Sequence, residues 1–163
     1  IPKSTALNQI RTLENSGFLY RVKNTSNYRL GYKIMELNYS VVSAMTIVQY
    51  ALPFMEMLRS AGNENVYLTT HLNGRVFYLE CLHSNRQTIA YSVAGKTLPM
   101  HCTGCGKAML SFMPQDQVDR IIRQHGLPLL TSNTCTDYDV LMKELAAAKA
   151  QGYAIERERE KEK

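Results

Sequence analysis

The chain has 163 residues, 45% of them hydrophobic and 20% charged, so it is too apolar for a disordered protein and long enough for one domain plus a small module. It contains no run of about 18 apolar residues, which excludes a membrane span, and it does not open like a signal peptide. Four cysteines without a secretory signal do not suggest a disulfide framework, so we expect reduced thiols and a cytoplasmic location.

The formal net charge of +5 is confined to one end of the chain. Residues 1–33 carry six basic side chains and one acidic side chain, Glu14, whereas residues 34–163 carry equal numbers of each sign. A basic block on a neutral body predicts a module that binds a polyanion, attached to a second domain. The charge alone leaves open a solvated surface on which basic residues cluster by accident.

Residues 1–31 have the pattern of a helix followed by a small hairpin. Pro2 suits a first helical turn, Ala6, Ile10 and Leu13 recur at helical spacing, and Gly17 is a stop signal. The letters FLYRV and YRL, separated by the turn KNTSN, predict two short strands. This order is typical of a winged helix, whose helix start enters the major groove of DNA while the hairpin contacts the backbone or minor groove.

A DNA-binding role assigns chemistry to particular side chains of this module. Lysine and arginine pair with phosphates, and short polar side chains reach phosphates or base edges. The predicted DNA-binding residues are Lys3, Ser4, Thr5, Asn8, Arg21, Lys23, Tyr28 and Arg29.

The spaced pattern of this segment resembles a known family. Pro-x-Ser-Thr at the helix start, Gly-Phe-Leu after the helix and Tyr-x-Leu-Gly at the end of the wing are similar to the second half of the winged helix-turn-helix of the IclR family of bacterial transcriptional regulators. The family often has Arg where this chain has Asn8 and an apolar residue where it has Gln9, so the contacted bases are not carried over. The resemblance implies that two further helices precede residue 1.

An apolar stripe at helical spacing follows the predicted wing, and Pro53 within it predicts a break or kink near that residue. One interpretation is a linker helix that pairs with a partner chain, followed by the first helix of the next domain. The other is two amphipathic helices packed on their own core. The family resemblance favours the first and implies a homodimer or homotetramer. The stripe consists of Ile34, Leu37, Val41, Met45, Val48, Leu52 and Met55.

From Asn65 onward the hydrophobic period changes to two, which predicts strands. NVYLTTHL and RVFYLECL flank the Asn-Gly pair at 73–74, a strong hairpin signal, and RQTIAYSV predicts a third strand. Three helices follow, from about 104 to 112, from Pro114, and from an Asp137 cap to Gly152, and YAIE suggests one more strand. Antiparallel strands with intervening helices predict the α+β class.

The segments GKTLPMHCTGCGKAML and GYAIERE resemble the effector-binding domain of the same family, a GAF-like sheet domain. The resemblance implies three regions: residues 1–31 as the second half of the winged helix-turn-helix, 32–46 as a linker and dimerisation helix, and 47–163 as an effector-binding domain that is incomplete at its C-terminal end. The mixed-charge tail after Ile155 is expected to be solvated.

Cys102 and Cys105, in the stretch MHCTGCGKAML, raise three chemical alternatives. A structural zinc site needs four ligands, usually as two close pairs. Among the remaining candidates, His101, Cys81, His83 and Cys135, the one other paired spacing is that of Cys81 with His83. Such a pair at a helix start suits redox sensing, because a helix N-terminus favours the thiolate, although the flanking strands are not a βαβ unit. Nucleophilic catalysis lacks an evident orienting group.

The glycines of the same stretch support a fourth interpretation. Gly104 and Gly106 leave the main chain open at a helix start, where unpaired N–H groups bind a carboxylate or similar anion, and a purely structural turn is the alternative. The family binds small organic acids and related metabolites in this loop, so Gly104 and Cys105 are the leading effector-binding residues by position. Weaker candidates for the pocket wall are Ala90, Met100 and Thr103.

The resulting prediction is a regulator, not an enzyme, that represses transcription by binding a double-stranded DNA operator and responds to a small-molecule effector. It needs no metal or cofactor. A zinc-based or thiol-based sensor that uses Cys102 and Cys105 is the alternative. We expect His101 to anchor its loop and Lys107 to lie on a helix surface. The remaining histidines are expected to be surface or hydrogen-bonded polar groups.

Overall fold

A computed structural model describes residues 1–86 and 93–156, and the chain divides into two compact units, Ile1–Tyr50 and Ala51–Lys163. Helices combined with two small antiparallel sheets confirm the predicted α+β class. In chain order the elements are α1 (Lys3–Asn15), β1 (Leu19–Arg21), β2 (Tyr28–Leu30), α2 (Lys33–Ala44), α3 (Thr46–Gly62), β3 (Val66–Leu72), β4 (Arg75–Leu82), β5 (Thr97–Pro99), a 3-10 turn (Met100–Cys102), α4 (Gly104–Phe112), α5 (Gln115–His125) and α6 (Tyr138–Gln151).

The first unit contains the predicted helix and hairpin. Pro2 precedes the first residue of α1, and its carbonyl accepts a hydrogen bond from the Ala6 N–H at 3.1 Å. Gly17 ends the helix with a left-handed backbone, φ +76°, which lets the Phe18 N–H donate to the Leu13 carbonyl at 2.8 Å. Strands β1 and β2 then pair antiparallel. The helix-then-hairpin prediction is therefore confirmed.

Gly31 connects the hairpin to the helix that precedes it. Its N–H donates to the Phe18 carbonyl at 2.7 Å, and a Cβ built on Gly31 would lie 1.9 Å from the Gly17 carbonyl oxygen. The two backbone segments approach so closely that only glycine fits at this position.

The helix is interrupted at Met45 and Pro53 lies inside α3, so a break at the proline is wrong, whereas a kink there stays a prediction. The end of α2 is rich in side chains that hydrogen-bond carbonyls: the Ser40 and Ser43 hydroxyls donate to carbonyls in their own helix, and the Gln49 amide donates to the Ser43 carbonyl at 3.0 Å. Such bonds compete with the backbone ladder. Gln49 and Pro53 are exposed, so solvent reaches the carbonyl that the proline leaves without an N–H partner.

The apolar stripe does not form one surface. Val48 and Met55 are buried, whereas Leu37 and Val41 are 50% and 54% exposed on α2. Among residues 1–86 and 93–156, no single helix has the length and hydropathy to cross a membrane, and α2 and α3 reach that composition only when they are counted together across their break.

The second unit contains the Asn-Gly hairpin that the sequence predicted. Asn73 and Gly74 both have positive φ, +50° and +74°, as a two-residue turn between β3 and β4 requires. Strand β5 pairs antiparallel with β4, which gives the order β3-β4-β5. The predicted third strand, RQTIAYSV, lies almost wholly at 87–92, outside the described residues.

The predicted strand at YAIE is wrong, since residues 153–156 have no regular secondary structure. The Tyr153 carbonyl accepts a hydrogen bond from the Gln151 side-chain amide at 2.7 Å instead of from a neighbouring strand. The three predicted helices are confirmed as α4, α5 and α6. The Asp137 carboxylate caps α6 by accepting from the Val140 N–H at 2.9 Å, and Gly152 ends it with φ +84°.

The core of the second unit packs the helices against the hairpin. Burial of these apolar side chains is the main stabilising contribution to the unit. The fully buried cluster contains Val76, Met100, Leu110, Val118, Leu141 and Leu145.

Candidate nucleic-acid interface and effector site

The start of α1 presents polar groups and an open helix terminus. Pro2 offers no side-chain cap and the first turn has no acidic residue, so the positive end of the helix dipole is not neutralised. Ser4 and Asn8 are four residues apart and share a face of the helix, with Thr5 beside them. All four predicted residues of this helix, including Lys3, are exposed.

Strand pairing brings Arg29 onto an aromatic ring. Tyr20 and Arg29 are directly opposite each other in the hairpin, and the Arg29 guanidinium carbon lies 5.8 Å from the centre of the Tyr20 ring. The Tyr32 ring lies 6.0 Å from that of Tyr20. The cation–π contact holds the guanidinium in place while the residue stays exposed. Sequence reasoning did not include Tyr20, because it predicted a hairpin here but not which residues of the two strands are paired.

The other predicted wing residues are arranged differently. Arg21 pairs with Tyr28, and because successive side chains alternate between faces, these two lie on the opposite face from Arg29. The Arg21 Nε–H donates to the Thr25 carbonyl at 3.3 Å, so this side chain folds onto the wing turn. Lys23 is exposed in that turn. The structure thus separates the wing residues into two faces.

The start of α4 is closely packed. Thr103 caps the helix by accepting from the Gly106 N–H at 3.1 Å and donates its hydroxyl to the Pro99 carbonyl at 3.4 Å. Met100 is 2% exposed and belongs to the core. Of the five predicted effector residues, Thr103 and Met100 are therefore buried structural groups here, and Ala90 lies outside the described residues.

Gly104 has a partner that sequence reasoning missed. Its N–H donates to the Glu156 Oε2 at 2.9 Å, so a carboxylate from residue 156 is bound at the N-terminus of α4. Glu156 belongs to the segment that was expected to be solvated. The two residues are 52 positions apart, and nothing in the local sequence pattern links them.

Cys105 faces an aromatic pair. Its Sγ lies 3.9 Å from the Tyr78 hydroxyl, and the Tyr78 and Tyr67 rings meet edge to face at 5.6 Å. Burial raises the pKa of Tyr78, and the nearby Cys105 and Glu156 raise it further. Tyr78 is therefore a neutral phenol at physiological pH and can donate a hydrogen bond.

A cavity of about 640 Å³ adjoins this region. Its lining includes Cys102, Lys107, Glu144 and residues 154–156. The Lys107 ammonium is 2.7 Å from the Glu144 carboxylate, and only 13% of the lysine side chain is exposed, so the expectation of a surface lysine is wrong. This ion pair joins α4 to α6, and the cavity lies beside the bond between Gly104 and Glu156.

The geometry of the cysteines gives no support to a zinc site. The Cys102 thiol donates to the Pro99 carbonyl at 3.3 Å, whereas Cys105 contacts Tyr78. Cys81 lies 3.6 Å from His83, and the four thiols form no disulfide. In the described ranges 1–86 and 93–156, no three His, Cys, Asp or Glu side chains are grouped as metal binding requires.

Three of the four histidines, His71, His101 and His125, act as structural hydrogen-bonding groups. His101 is buried and its Nε2–H donates to the Pro128 carbonyl at 3.1 Å, which confirms its expected role as a loop anchor. His71 accepts from the Gly74 N–H at 3.0 Å, and His125 donates to the Asn73 carbonyl at 2.8 Å, so both hold the hairpin turn.

Burial lowers the pKa of His101 below its usual 6.5. As the pH falls below that value, the unfolded chain binds a proton that the folded chain does not, so the free energy of unfolding decreases. We expect the His101→Gln variant, which keeps a side-chain N–H donor but does not titrate, to lose stability less steeply between about pH 7.5 and 5.5. Urea unfolding at both pH values measures this, with His83→Gln as the control. Equal pH dependence in wild type and His101→Gln would contradict the assignment.

Comparison with known proteins agrees with this architecture. The family described as "Bacterial transcriptional regulator IclR C-terminal" matches residues 39–163. The HTH-type transcriptional regulator XynR of Escherichia coli is 31% identical over 163 aligned residues, which cover 97% of this chain and 63% of XynR.

Two solved structures share the fold. The IclR protein of Thermotoga maritima is 26% identical, with a TM-score of 0.75 over 98% of this chain and 64% of that one. An IclR homologue of Microbacterium hydrocarbonoxydans, solved in complex with 4-hydroxybenzoate, is 27% identical, with a TM-score of 0.74 over 94% of this chain and 63% of that one. The chain thus spans less than two thirds of the length of these relatives. It belongs to the IclR family of bacterial transcriptional regulators.

Proposed function

We propose that this chain is part of a DNA-binding transcriptional repressor whose operator affinity is controlled by a small metabolite. The main support for the proposal is that the Arg29 guanidinium is held over the Tyr20 ring of the wing. The same unit contains the exposed, uncapped start of α1. In this proposal residues 1–31 bind DNA, residues 32–46 link and dimerise, and residues 47–163 bind the effector.

DNA binding divides between the helix and the wing. The start of α1, with Lys3 and its open N–H groups, binds phosphate, while Ser4, Thr5 and Asn8 reach base edges in the major groove. The wing contacts the DNA backbone or minor groove, with Arg29 on one face of the hairpin and Arg21 and Tyr28 on the other. The wing residues in this role are Arg21, Lys23, Tyr28 and Arg29.

A small organic acid is the effector class that we propose, bound at the start of α4. Gly104 and Cys105 lie there, and the 4-hydroxybenzoate bound by the Microbacterium relative is a carboxylate. The cavity of about 640 Å³ beside this helix start has the size of a small-molecule site. Coupling to DNA requires that the effector favour one arrangement of the linker helices.

Dimerisation through α2 is part of the same proposal. This helix has no buried residue in the described chain, and its exposed side chains include Leu37, Tyr39 and Val41. Leu37 and Val41 are four residues apart and share a face of the helix, and exposed apolar side chains of this kind gain stability when a second chain covers them. The relatives are regulators rather than enzymes, and we propose no catalytic role.

The test measures binding of the intact protein to the DNA upstream of its own gene by fluorescence anisotropy at several salt concentrations. We expect Arg29→Ala and Lys3→Ala each to weaken binding and to reduce the slope of log affinity against log salt by about one unit, because each removes one phosphate contact. Lys33→Ala is the matched control, since it removes the same charge from a residue paired with Glu36. Unchanged affinity and slope in both variants would remove the support for this interface.

A further inference from the structure

We propose that the turn Asn73–Gly74 is a site of spontaneous deamidation, in which His71 acts as the general base and His125 stabilises the negative charge that develops. The reaction consumes only water and leaves aspartate or isoaspartate at position 73. Asn73 is the one asparagine of the sequence that glycine follows. The proposal concerns the turn between β3 and β4 and does not depend on the proposed DNA and effector sites.

Two histidines bind the two ends of one peptide group. The Gly74 N–H donates to the His71 Nε2 at 3.0 Å, and the His125 Nε2–H donates to the Asn73 carbonyl oxygen at 2.8 Å. The first distance is the one that a general base needs to accept a proton from a nucleophile. The second contact stabilises the deprotonated amide, because its negative charge is shared between the nitrogen and this oxygen. Both contacts therefore raise the reactivity of the Gly74 nitrogen.

The turn keeps the nucleophile and its base together and leaves the target amide exposed. Both turn residues have positive φ, +50° and +74°, as the hairpin requires. A Cβ built on Gly74 would lie 2.5 Å from the His125 Nε2, so only glycine lets this ring approach so closely. Asn73 is exposed, and within residues 1–86 and 93–156 no hydrogen bond holds its side-chain amide. The amide can therefore turn toward the Gly74 nitrogen.

The reaction balances without an oxidant or a cofactor. The Gly74 N–H gives its proton to the His71 Nε2, and the nitrogen attacks the Asn73 Cγ to close a succinimide ring. The bond between Cγ and Nδ2 breaks, and Nδ2 leaves as ammonia with the proton that His71 had accepted. Water then opens the ring at Cγ to give aspartate, or at the main-chain carbonyl carbon to give isoaspartate. Either product adds a negative charge to the turn, and isoaspartate also lengthens the main chain there.

The experiment incubates the intact protein at constant neutral pH and temperature. It measures the ammonia released and the mass and fragmentation of the tryptic peptide 60–75. We expect deamidation at Asn73, whereas Asn63 and Asn65 of the same peptide stay intact, because their side-chain oxygens accept main-chain hydrogen bonds. His71→Gln keeps a hydrogen-bond acceptor but has no base, and it should slow the reaction about tenfold, less than a positioned base contributes in an enzyme.

Two further variants and a peptide serve as controls. His83→Gln removes a histidine that lies outside the turn, and it should react as the wild type. His125→Leu removes the donor to the Asn73 carbonyl and should also slow the reaction. In a synthetic peptide of residues 60–75 the imidazole is not held at the amide, so His71→Gln should change the rate little there.

Equal rates in the wild type and His71→Gln would overturn the proposal. An effect of His71→Gln that is as large in the peptide as in the protein would also overturn it, because the folded contact would then contribute nothing. An intact Asn73 in the protein under conditions that deamidate the peptide would have the same consequence, since the fold would then protect the amide. An unchanged rate in His125→Leu would overturn the role of His125.

Discussion

Replacing Gly106 with alanine is expected to lower the free energy of unfolding of the Ala51–Lys163 unit by about 3 kcal/mol, at the upper end of the usual cost of overpacking. A Cβ at this position would lie 2.3 Å from the Met100 carbonyl oxygen, 2.5 Å from the Met100 Cα and 2.5 Å from the Thr103 hydroxyl. Two of these atoms are backbone, so no side-chain rotation relieves the clash. The turn before α4 would have to move, and Met100 would leave the core.

Gly104→Ala is the matched control for this prediction. It lies two residues away in the same helical turn, yet its Cβ would meet the nearest atom, the Ala154 carbonyl oxygen, at an ordinary 3.5 Å. Urea unfolding of both variants, followed by circular dichroism, gives the comparison. If Gly106→Ala unfolds at the same urea concentration as Gly104→Ala, the turn before α4 is not packed as closely as described, and the prediction is wrong.

Replacing Gly31 with alanine is expected to reduce DNA affinity more than tenfold by detaching the wing from α1. The added Cβ would lie 1.9 Å from the Gly17 carbonyl oxygen and 2.8 Å from the Gly17 carbonyl carbon. Both distances are shorter than the contacts that Cβ atoms make in folded proteins. The hydrogen bond from the Gly31 N–H to the Phe18 carbonyl would be lost with this displacement. Arg29 would then no longer be held in a fixed relation to the start of α1, and the order-of-magnitude loss follows from losing several phosphate contacts together.

Two measurements keep this prediction testable. Anisotropy measures affinity for DNA, and limited trypsin digestion measures exposure of Arg21 and Lys23, which should be cleaved faster in Gly31→Ala. Gly62→Ala is the control, because its Cβ would meet only a flexible Glu64 carbon at 4.0 Å. If cleavage and affinity both match the control, the wing does not depend on Gly31.

The sequence predicted those elements whose causes are local. The Asn-Gly turn, the Asp137 cap and the Gly17 and Gly152 stops each depend on the backbone preference of one or two residues, and the structure has them where the pattern indicated. The break at Met45 was missed because proline is the strongest single disrupting residue, whereas the serine and glutamine bonds that accompany this break act together.

The contacts of the candidate site depend on chain segments that meet only in the folded protein. Glu156 bonds to Gly104, and Lys107 is covered by its ion pair with Glu144, without any spacing that marks either contact in the sequence. Met100 was chosen for its place in the loop, and its burial depends on packing that positional reasoning does not include. Tyr20 was missed because its place opposite Arg29 depends on the strand register, which the predicted hairpin did not specify.

The separation between Gly104 and its carboxylate partner also has a consequence for biosynthesis. Glu156 follows Gly104 by 52 residues, so the ribosome adds it a few to about ten seconds later at ordinary rates of translation. Within that interval the ribosome also adds α5 and α6, and α6 supplies the core residues Leu141 and Leu145, against which Leu110 of α4 packs. The hydrogen bond between Gly104 and Glu156 therefore forms only after β3 to β5 and α4 to α6 have all been translated.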